Sequence, residues 1–362
     1  MFSQLINQNS IKHYFSRAFA SGKPHHAYLF FGPDGTGKAM AAVELARVKT
    51  CMDPEQKPCG TCASCVKFKK FKHPDIMLVF PVPGSLKSDE IQEQRELISE
   101  DPYLLPEFEK NASIHIGTVR EIKNRLRLQS YQAHGRVVII LGADRLTLEA
   151  ANALLKLLEE PQPDITFILT TSFPDSVLAT IKSRCQQLFF SYLSDKTIAD
   201  ALVERDGISE NDARFIASLS GGSYTRARMF LHEDFVTKRE ICTQIIETST
   251  RRSILETVML VEELSSIKKS GYREINMRSV LELLLAMFKI AYEQQFQSAE
   301  INVQENGQFN ISVESLRDKS LPMIKQAIEE VEKSVDLMNK NVYLSLILLI
   351  LFSRLHQVFQ NV

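Results

Sequence analysis

Two short strings in this chain place residue types at spacings that do chemistry. The first is Gly32-Pro-Asp-Gly35-Thr-Gly37-Lys38-Ala39. Glycines in such a turn let backbone N–H groups wrap a phosphate, and Lys38 adds a point charge. The last position of this pattern normally carries a hydroxyl that holds magnesium. Ala39 has no oxygen to offer. A second magnesium-binding element would be acidic residues ending a later apolar strand. The strand Val137-Val-Ile-Ile-Leu141 runs instead into Gly142, and Asp144 falls past its end, where it reads as a cap or turn residue. The string is thus a P-loop-derived turn without a grip on magnesium. Gly32, Gly35, Gly37 and Lys38 are the candidates for holding nucleotide. The competing reading is a vestigial loop kept for packing. Hydrolysis is not expected.

The second string is Cys51-x7-Cys59-x2-Cys62-x2-Cys65. Each C-x2-C step turns tightly and presents two sulfurs to one ion, and zinc takes four such ligands in a tetrahedron. Four protein ligands leave no open position for catalysis, so the expected role is structural. A redox cluster or an iron–sulfur site is the alternative. His73 is near but not needed as a ligand. Cys185 and Cys242 stand far off and read as lone buried thiols. Beside the cluster, Lys67-Phe-Lys-Lys-Phe-Lys72 interleaves cations with aromatics. This stretch either contacts DNA or an acidic partner, or forms a solvated helix face with Phe68 and Phe71 turned inward; the second reading is favoured.

These strings need a scaffold. The chain has 362 residues, enough for two or three domains, with 44% hydrophobic and 24% charged residues. Its net charge of -1 offers no global field for nucleic acid. The N-terminus lacks a basic-then-apolar signal pattern. The apolar run Val342 to Phe352 falls short of the roughly 20 residues a membrane span needs. A cytoplasmic protein is expected, with no membrane partner, and clustered cysteines in a reducing compartment suggest metal before disulfide.

The first half alternates strands and helices. Strands are predicted at Ala27–Phe31, Ile76–Val82, around Ile114, and at Arg136–Leu141, Ile165–Thr170 and Gln187–Phe190. Helices are predicted at Ala39–Val48, Thr118–Ser130, Thr147–Leu158 and around Asp175–Ile181. That alternation means a parallel sheet covered on both faces. Pro83 to Asn111 breaks the rhythm as a surface insertion, with local helix at Asp89–Ser99 and no assigned function. After Tyr192 the pattern is helical, with breaks at Asp206-Gly207 and Gly221-Gly222 and a loop at Asn302–Asn310. The fold class is α/β followed by all-α.

At this point three strings resemble a known family. Pro24-His-His-Ala-Tyr-Leu-Phe-Phe-Gly-Pro33, Ala150-Ala-Asn-Ala-Leu-Leu-Lys-Leu-Leu-Glu-Glu-Pro161 and Ser183-Arg184-Cys185 are similar, in order and spacing, to bacterial clamp-loader AAA+ subunits, the tau/gamma and delta-prime group of DNA polymerase III. The resemblance covers about residues 1–230, and more weakly Val331 to Leu355. It implies an AAA+ core over 1–191 with a zinc module at 51–72, a core that the surface insertion, taken as 83–112, interrupts. A helical lid at 192–240 and a helical collar at 241–362 would follow. Counting back from Ala151-Asn152, the motor subunits' acidic pair falls on Leu141 and Gly142. Their sensor-2 arginine falls on Thr225, and Arg226 is one position off. The motor pattern therefore fails here, as it does in the non-hydrolysing members of the group.

Taken alone, Arg184 reads as a structural salt-bridge residue. The resemblance implies instead an arginine finger acting in trans on ATP held by a neighbouring tau/gamma subunit, with Ser183 orienting the turn. It also implies a hetero-pentamer with tau/gamma and delta that loads the sliding clamp onto primed DNA. No intrinsic ATPase or polymerase activity is expected, and the link to DNA-directed DNA polymerase is by complex membership. One rival is an ATP-hydrolysing tau/gamma-like motor. A second is a zinc-dependent DNA-binding module carrying a degenerate P-loop domain.

Overall fold

The computed structural model describes residues 2–22, 24–68, 71–83, 86, 88–105, 112–127, 135–232, 235–250, 254–266, 277–297, 316, 318–338 and 342–360. They form two compact units. One comprises Met1–Thr197 with Gly222–Thr225, the other Ile198–Gly221 with Arg226–Val362.

The first unit is built on five parallel strands: β1 Ala27–Phe31, β2 Ile76–Val79, β3 Arg136–Ile140, β4 Ile165–Thr171 and β5 Gln186–Phe189. Their order across the sheet is β2-β3-β4-β1-β5, with Leu29 level with Leu169 on one side and Gln187 on the other. The inner strands are buried on both faces, which is why they read as continuous apolar runs and not as alternations. Helices α1 Asn9–Ala20 and α2 Lys38–Thr50 precede α3 Ala63–Phe68 and α4 Ser88–Glu100. Helices α5 Ile116–Arg127, α6 Leu148–Glu159 and the single turn α7 Ala179–Lys182 complete the set. Val119, Ile122 and Leu126 of α5 and Ala150, Leu154 and Leu158 of α6 form one core with Leu29, Val138, Ile140, Phe167 and Leu169 of the sheet. Phe15 of α1 packs its ring at a steep angle against Tyr28 and edge-on against Phe30 from β1. Helix α2 is buried nearly all round, so its small residues Ala39, Ala41, Ala42 and Ala46 let it lie close to the strands.

Each predicted strand is present except the one around Ile114. There a single bridge joins Ile114 to Leu146, and another joins Val82 to Ser113. Only Ser113, Ile114 and His115 lie between the insertion and α5, too few for a ladder. Strand β2 stops at Val79, before Pro81, which cannot donate to a ladder. The helix expected at Asp175–Ile181 is split into a 3-10 turn, Pro174–Ser176, and α7, because Val177 and Leu178 are extended. Helix α6 starts where Thr147 caps it, its Oγ1 accepting from Ala150 N.

The second unit contains α8 Asp195–Asp206, α9 Glu210–Leu219, α10 Tyr224–His232, α11 Phe235–Thr250, α12 Ile254–Ser266, α13 Met277–Gln297, α14 Leu321–Met338 and α15 Leu344–Gln360; the first residues of α8 and of α10 fall in the first unit. Its core includes Ile245, Leu284, Phe288, Val331, Leu348 and Leu355, all essentially without solvent contact. The expected loop at Asn302–Asn310 and the end of the predicted helix at Ser130 lie outside the described residues. No helix among the described residues is long and apolar enough to cross a membrane.

Candidate functional site

The P-loop-derived turn leaves the C-terminal end of β1 and opens α2, as a phosphate loop does. Gly35 and Gly37 have φ of +70° and +97°, a region costly for side chains. Space forbids a side chain there as well. A Cβ on Gly35 would lie 1.9 Å from Ser223 Oγ, and one on Gly37 2.8 Å from Leu5 Cδ1 and 3.0 Å from Tyr103 Oη. Lys38 is only 7% exposed. Its Nζ donates to the loop's own carbonyls, Gly32 O at 2.8 Å and Pro33 O at 2.5 Å. Burial pulls its pKa down to about 8, against the opposing pull of Asp34 and Asp144. Thr36 Oγ1 also donates to Pro33 O.

The metal-binding side of the site is apolar. Ala39 and Leu141 are buried, and Gly142 turns at φ +68° against Pro81. Asp144 sits in a 3-10 turn after β3, where its Oδ1 accepts from Thr171 Oγ1 at 2.6 Å and Oδ2 lies 3.8 Å from Arg145. It is thus a turn residue tied to β4, as its position past the strand suggested. Thr225 Oγ1 donates to Tyr103 O at 2.6 Å, while Arg226 donates to Ser220 O.

Arg184 stands in the turn between α7 and β5, at the opposite edge of the sheet from β2. Its side chain is 35% exposed. The guanidinium lies 2.7 Å from Glu159 Oε1 and donates to Thr180 O and Ser183 Oγ. Cys185 beside it is buried, and burial alone pushes its thiol up to about 12; Cys242 is buried too, its thiol also raised. Neither is a poised nucleophile.

The four sulfurs of Cys51, Cys59, Cys62 and Cys65 all lie within 4.8 Å of one another. The separations 3.6 Å (Cys51–Cys59), 4.0 Å (Cys51–Cys62) and 4.0 Å (Cys59–Cys65) match the edge of about 3.8 Å that a tetrahedron with zinc–sulfur bonds of about 2.3 Å requires. Backbone N–H groups aim at the sulfurs: Cys59 N at Cys51 Sγ, Cys62 N at Cys59 Sγ, Cys65 N at Cys62 Sγ. Donation from Cys62 N, then from Thr61, draws the Cys59 thiol down to about 6. The donor set therefore fits a structural metal ion. His73 does not join it. Its Nδ1 accepts from Asp75 N, which leaves Nε2 protonated to donate to Ser64 Oγ at 2.9 Å, tying α3 to the turn that leads into β2. Phe68 and Phe71 are buried with ring centroids 5.0 Å apart, the inward placement favoured for that stretch.

Sequence reasoning did not find Tyr103, Ser223, Gln8 or Glu159. The first three reach the loop from far along the chain, and no local spacing announces them. Glu159 lay inside the quoted Leu-Leu-Glu-Glu-Pro string and was not paired with Arg184.

A parallel sheet in the order β2-β3-β4-β1-β5, a P-loop-derived turn after β1 and a following helical unit define an AAA+-type P-loop protein. Comparison with known proteins narrows this. The family described as "DNA polymerase III, delta subunit" matches residues 7–194. The DNA polymerase III subunit delta' of Bacillus subtilis is 30% identical over 296 residues, 79% of this chain and 81% of that protein. The delta' subunit of Haemophilus influenzae is 30% identical over 254 residues, 70% of this chain and 69% of that protein. The gamma/tau subunit of Mycobacterium bovis is 32% identical over 230 residues, covering 61% of this chain and 35% of its own length. The chain belongs to the delta-prime family of DNA polymerase III clamp-loader subunits.

Proposed function

We propose that this chain is a non-hydrolysing clamp-loader subunit that lends Arg184 to a neighbour's ATP. The observation that carries this is a contrast between two sites in one unit. The chain's own loop faces Ala39, Leu141 and Gly142 where magnesium would need oxygen. Arg184 meanwhile is partly exposed and held by a surface ion pair to Glu159. Such pairs are worth about 0–1 kcal/mol, so a phosphate can displace the carboxylate. A guanidinium placed on a transferring phosphoryl group stabilises the charge that develops there, an effect of roughly 10³–10⁵ in rate. Ser183 Oγ supports the guanidinium as acceptor.

The partners in this reading are tau/gamma and delta in a hetero-pentamer, with the sliding clamp and primed DNA engaged through the complex. Residues 192–240 serve as lid and 241–362 as collar. The helical unit supports an interaction role. Leu255 and Met259 on α12 are 71% and 62% exposed, and α15 and its approach leave Tyr343, Leu346, Leu349 and Ile350 exposed at helical spacing. Apolar stripes of this kind mark surfaces that a partner covers. The cysteine cluster holds zinc, and its four protein ligands give it a structural role. The ion keeps Cys51 to Cys65 folded; Ser64 and His73 dock that module on the core.

The test is reconstitution with tau/gamma and delta, followed by DNA-stimulated ATP turnover. Arg184→Ala is expected to assemble normally and to lower turnover at least tenfold at the site it serves. Full turnover by the Arg184→Ala complex, or turnover by the lone wild-type chain, sinks the reading.

A further inference from the structure

We propose that the segment Ser88–Leu105 is a clasp that holds the phosphate loop closed, with Tyr103 as its point of contact. The proposal deepens the reading above that this loop does not work on nucleotide, and rests on it. Ala39 removes a metal ligand, yet Gly32, Gly35, Gly37 and Lys38 remain, and such a set can cradle phosphate without metal. The loss of magnesium ligands therefore does not close the loop. Packing does.

Tyr103 follows α4 in a tight turn made by Asp101, which accepts from Tyr103 N through Oδ1 and from Leu104 N through its main-chain oxygen. The side chain is 2% exposed. Its hydroxyl accepts from Ile6 N at 2.9 Å, and its main-chain oxygen accepts from Thr225 Oγ1 at 2.6 Å. Its ring meets Tyr224 edge-on at 5.0 Å. Tyr103 thus ties together the N-terminal segment, the insertion and Gly222–Thr225. All three then grip the loop. Leu5 and the Tyr103 hydroxyl lie against Gly37. Tyr224 N donates to Gly35 O at 3.1 Å, and Gln8 Nε2 to Thr36 O at 3.2 Å. Lys38 is folded onto Gly32 O and Pro33 O, so a phosphate that draws it outward must break both bonds. The clasp is anchored at its other end. Ser99 Oγ of α4 donates to Phe68 O, and Glu96 pairs with Lys72 at 3.7 Å, next to the cysteine module.

The experiment is equilibrium dialysis of ATP and of ADP, with and without magnesium, against the full chain as wild type, Tyr103→Ala and Tyr103→Phe. Hydrogen exchange over residues 32–40 is measured on the same samples. Wild type is expected to show no saturable binding at millimolar nucleotide. Tyr103→Ala is expected to bind at least about tenfold tighter, a change of about 1.4 kcal/mol, and to exchange faster over the loop. Tyr103→Phe, which keeps the ring and loses only the acceptor for Ile6 N, is expected to fall between them, and it decides the matter if the alanine variant does not fold. Folded variants with unchanged binding and unchanged exchange overturn the clasp and leave the non-hydrolysing reading standing. Tight binding by wild type also overturns the clasp; the non-hydrolysing reading falls only if the lone chain releases phosphate as well.

Discussion

The Arg184 guanidinium and the Glu159 carboxylate stand 2.7 Å apart, joining the turn before β5 to the last residue of α6. Both side chains are more than a third exposed, so solvent screens the pair and its contribution is at most about 1 kcal/mol. Glu159→Gln is therefore expected to change unfolding free energy by less than about 1 kcal/mol and to leave, or raise, turnover of the assembled loader. Arg184→Lys separates a finger from a mere ion pair. Lysine keeps the charge but not the planar fork, so turnover should fall with Lys as with Ala while stability stays near wild type. Lysine retaining full turnover would count against the finger.

The cysteine geometry makes its own prediction. Each chain should carry one zinc ion as purified, read by elemental analysis. Cys62→Ser should lose the ion and lower the melting temperature, since a hydroxyl does not replace the thiolate and the energy of binding the ion is part of the folding energy. His73→Ala should keep the ion, because both ring nitrogens are spent on Ser64 and Asp75. Loss of zinc in the His73 variant would place that imidazole in the first coordination sphere.

The strands, the phosphate turn and the cysteine module were legible because each is a local pattern. Apolar runs bounded by glycine give buried parallel strands, and C-x2-C spacing brings sulfurs together whatever the rest of the chain does. Ile114 misled because one bridge between loops looks like a strand when only residue type is read. The contacts of Tyr103 could not be read at all. They join residues 6, 37, 103 and 225, and nothing in the periodicity of the insertion says that the turn after α4 folds back onto the loop. The pairing of Arg184 with Glu159 was hidden for the same reason: 25 residues and a strand separate them in sequence.

Lys38 predicts a pH dependence. Its folded pKa is lowered to about 8 from 10.5, first by burial. Between those values the unfolded chain binds the proton that the folded chain has released, so stability rises with pH. Below pH 8 both states are protonated and the cost of burying the ammonium is fully present. Comparing wild type with Lys38→Met between pH 8 and 10, wild type should gain roughly 2 kcal/mol on the variant in urea unfolding, at about 1.4 kcal/mol per pH unit once fully titrated. The window stops at pH 10, close to the ordinary lysine value of 10.5, above which the unfolded chain gives up the proton too and the difference levels off. A flat difference would mean that the ammonium is better solvated than its 7% exposure implies.

Restoring the motor pattern should not restore a motor. Ala39→Thr supplies the missing hydroxyl at the start of α2, but Leu141 and Gly142 still offer no acid at the end of β3, so the lone chain should still release no phosphate. Adding Leu141→Asp and Gly142→Glu supplies the acids at a cost. Leu141 is 1% exposed, and an unpaired charge there costs about 3–5 kcal/mol. Gly142 sits at φ +68° with Pro81 Cγ only 3.0 Å from any added Cβ, so glutamate is strained whichever way it points. The triple variant should therefore unfold at much lower urea than Ala39→Thr alone, and the phosphate assay should stay at background for both. Robust hydrolysis by either folded variant would show that the surrounding site kept more of the machinery than its packing indicates.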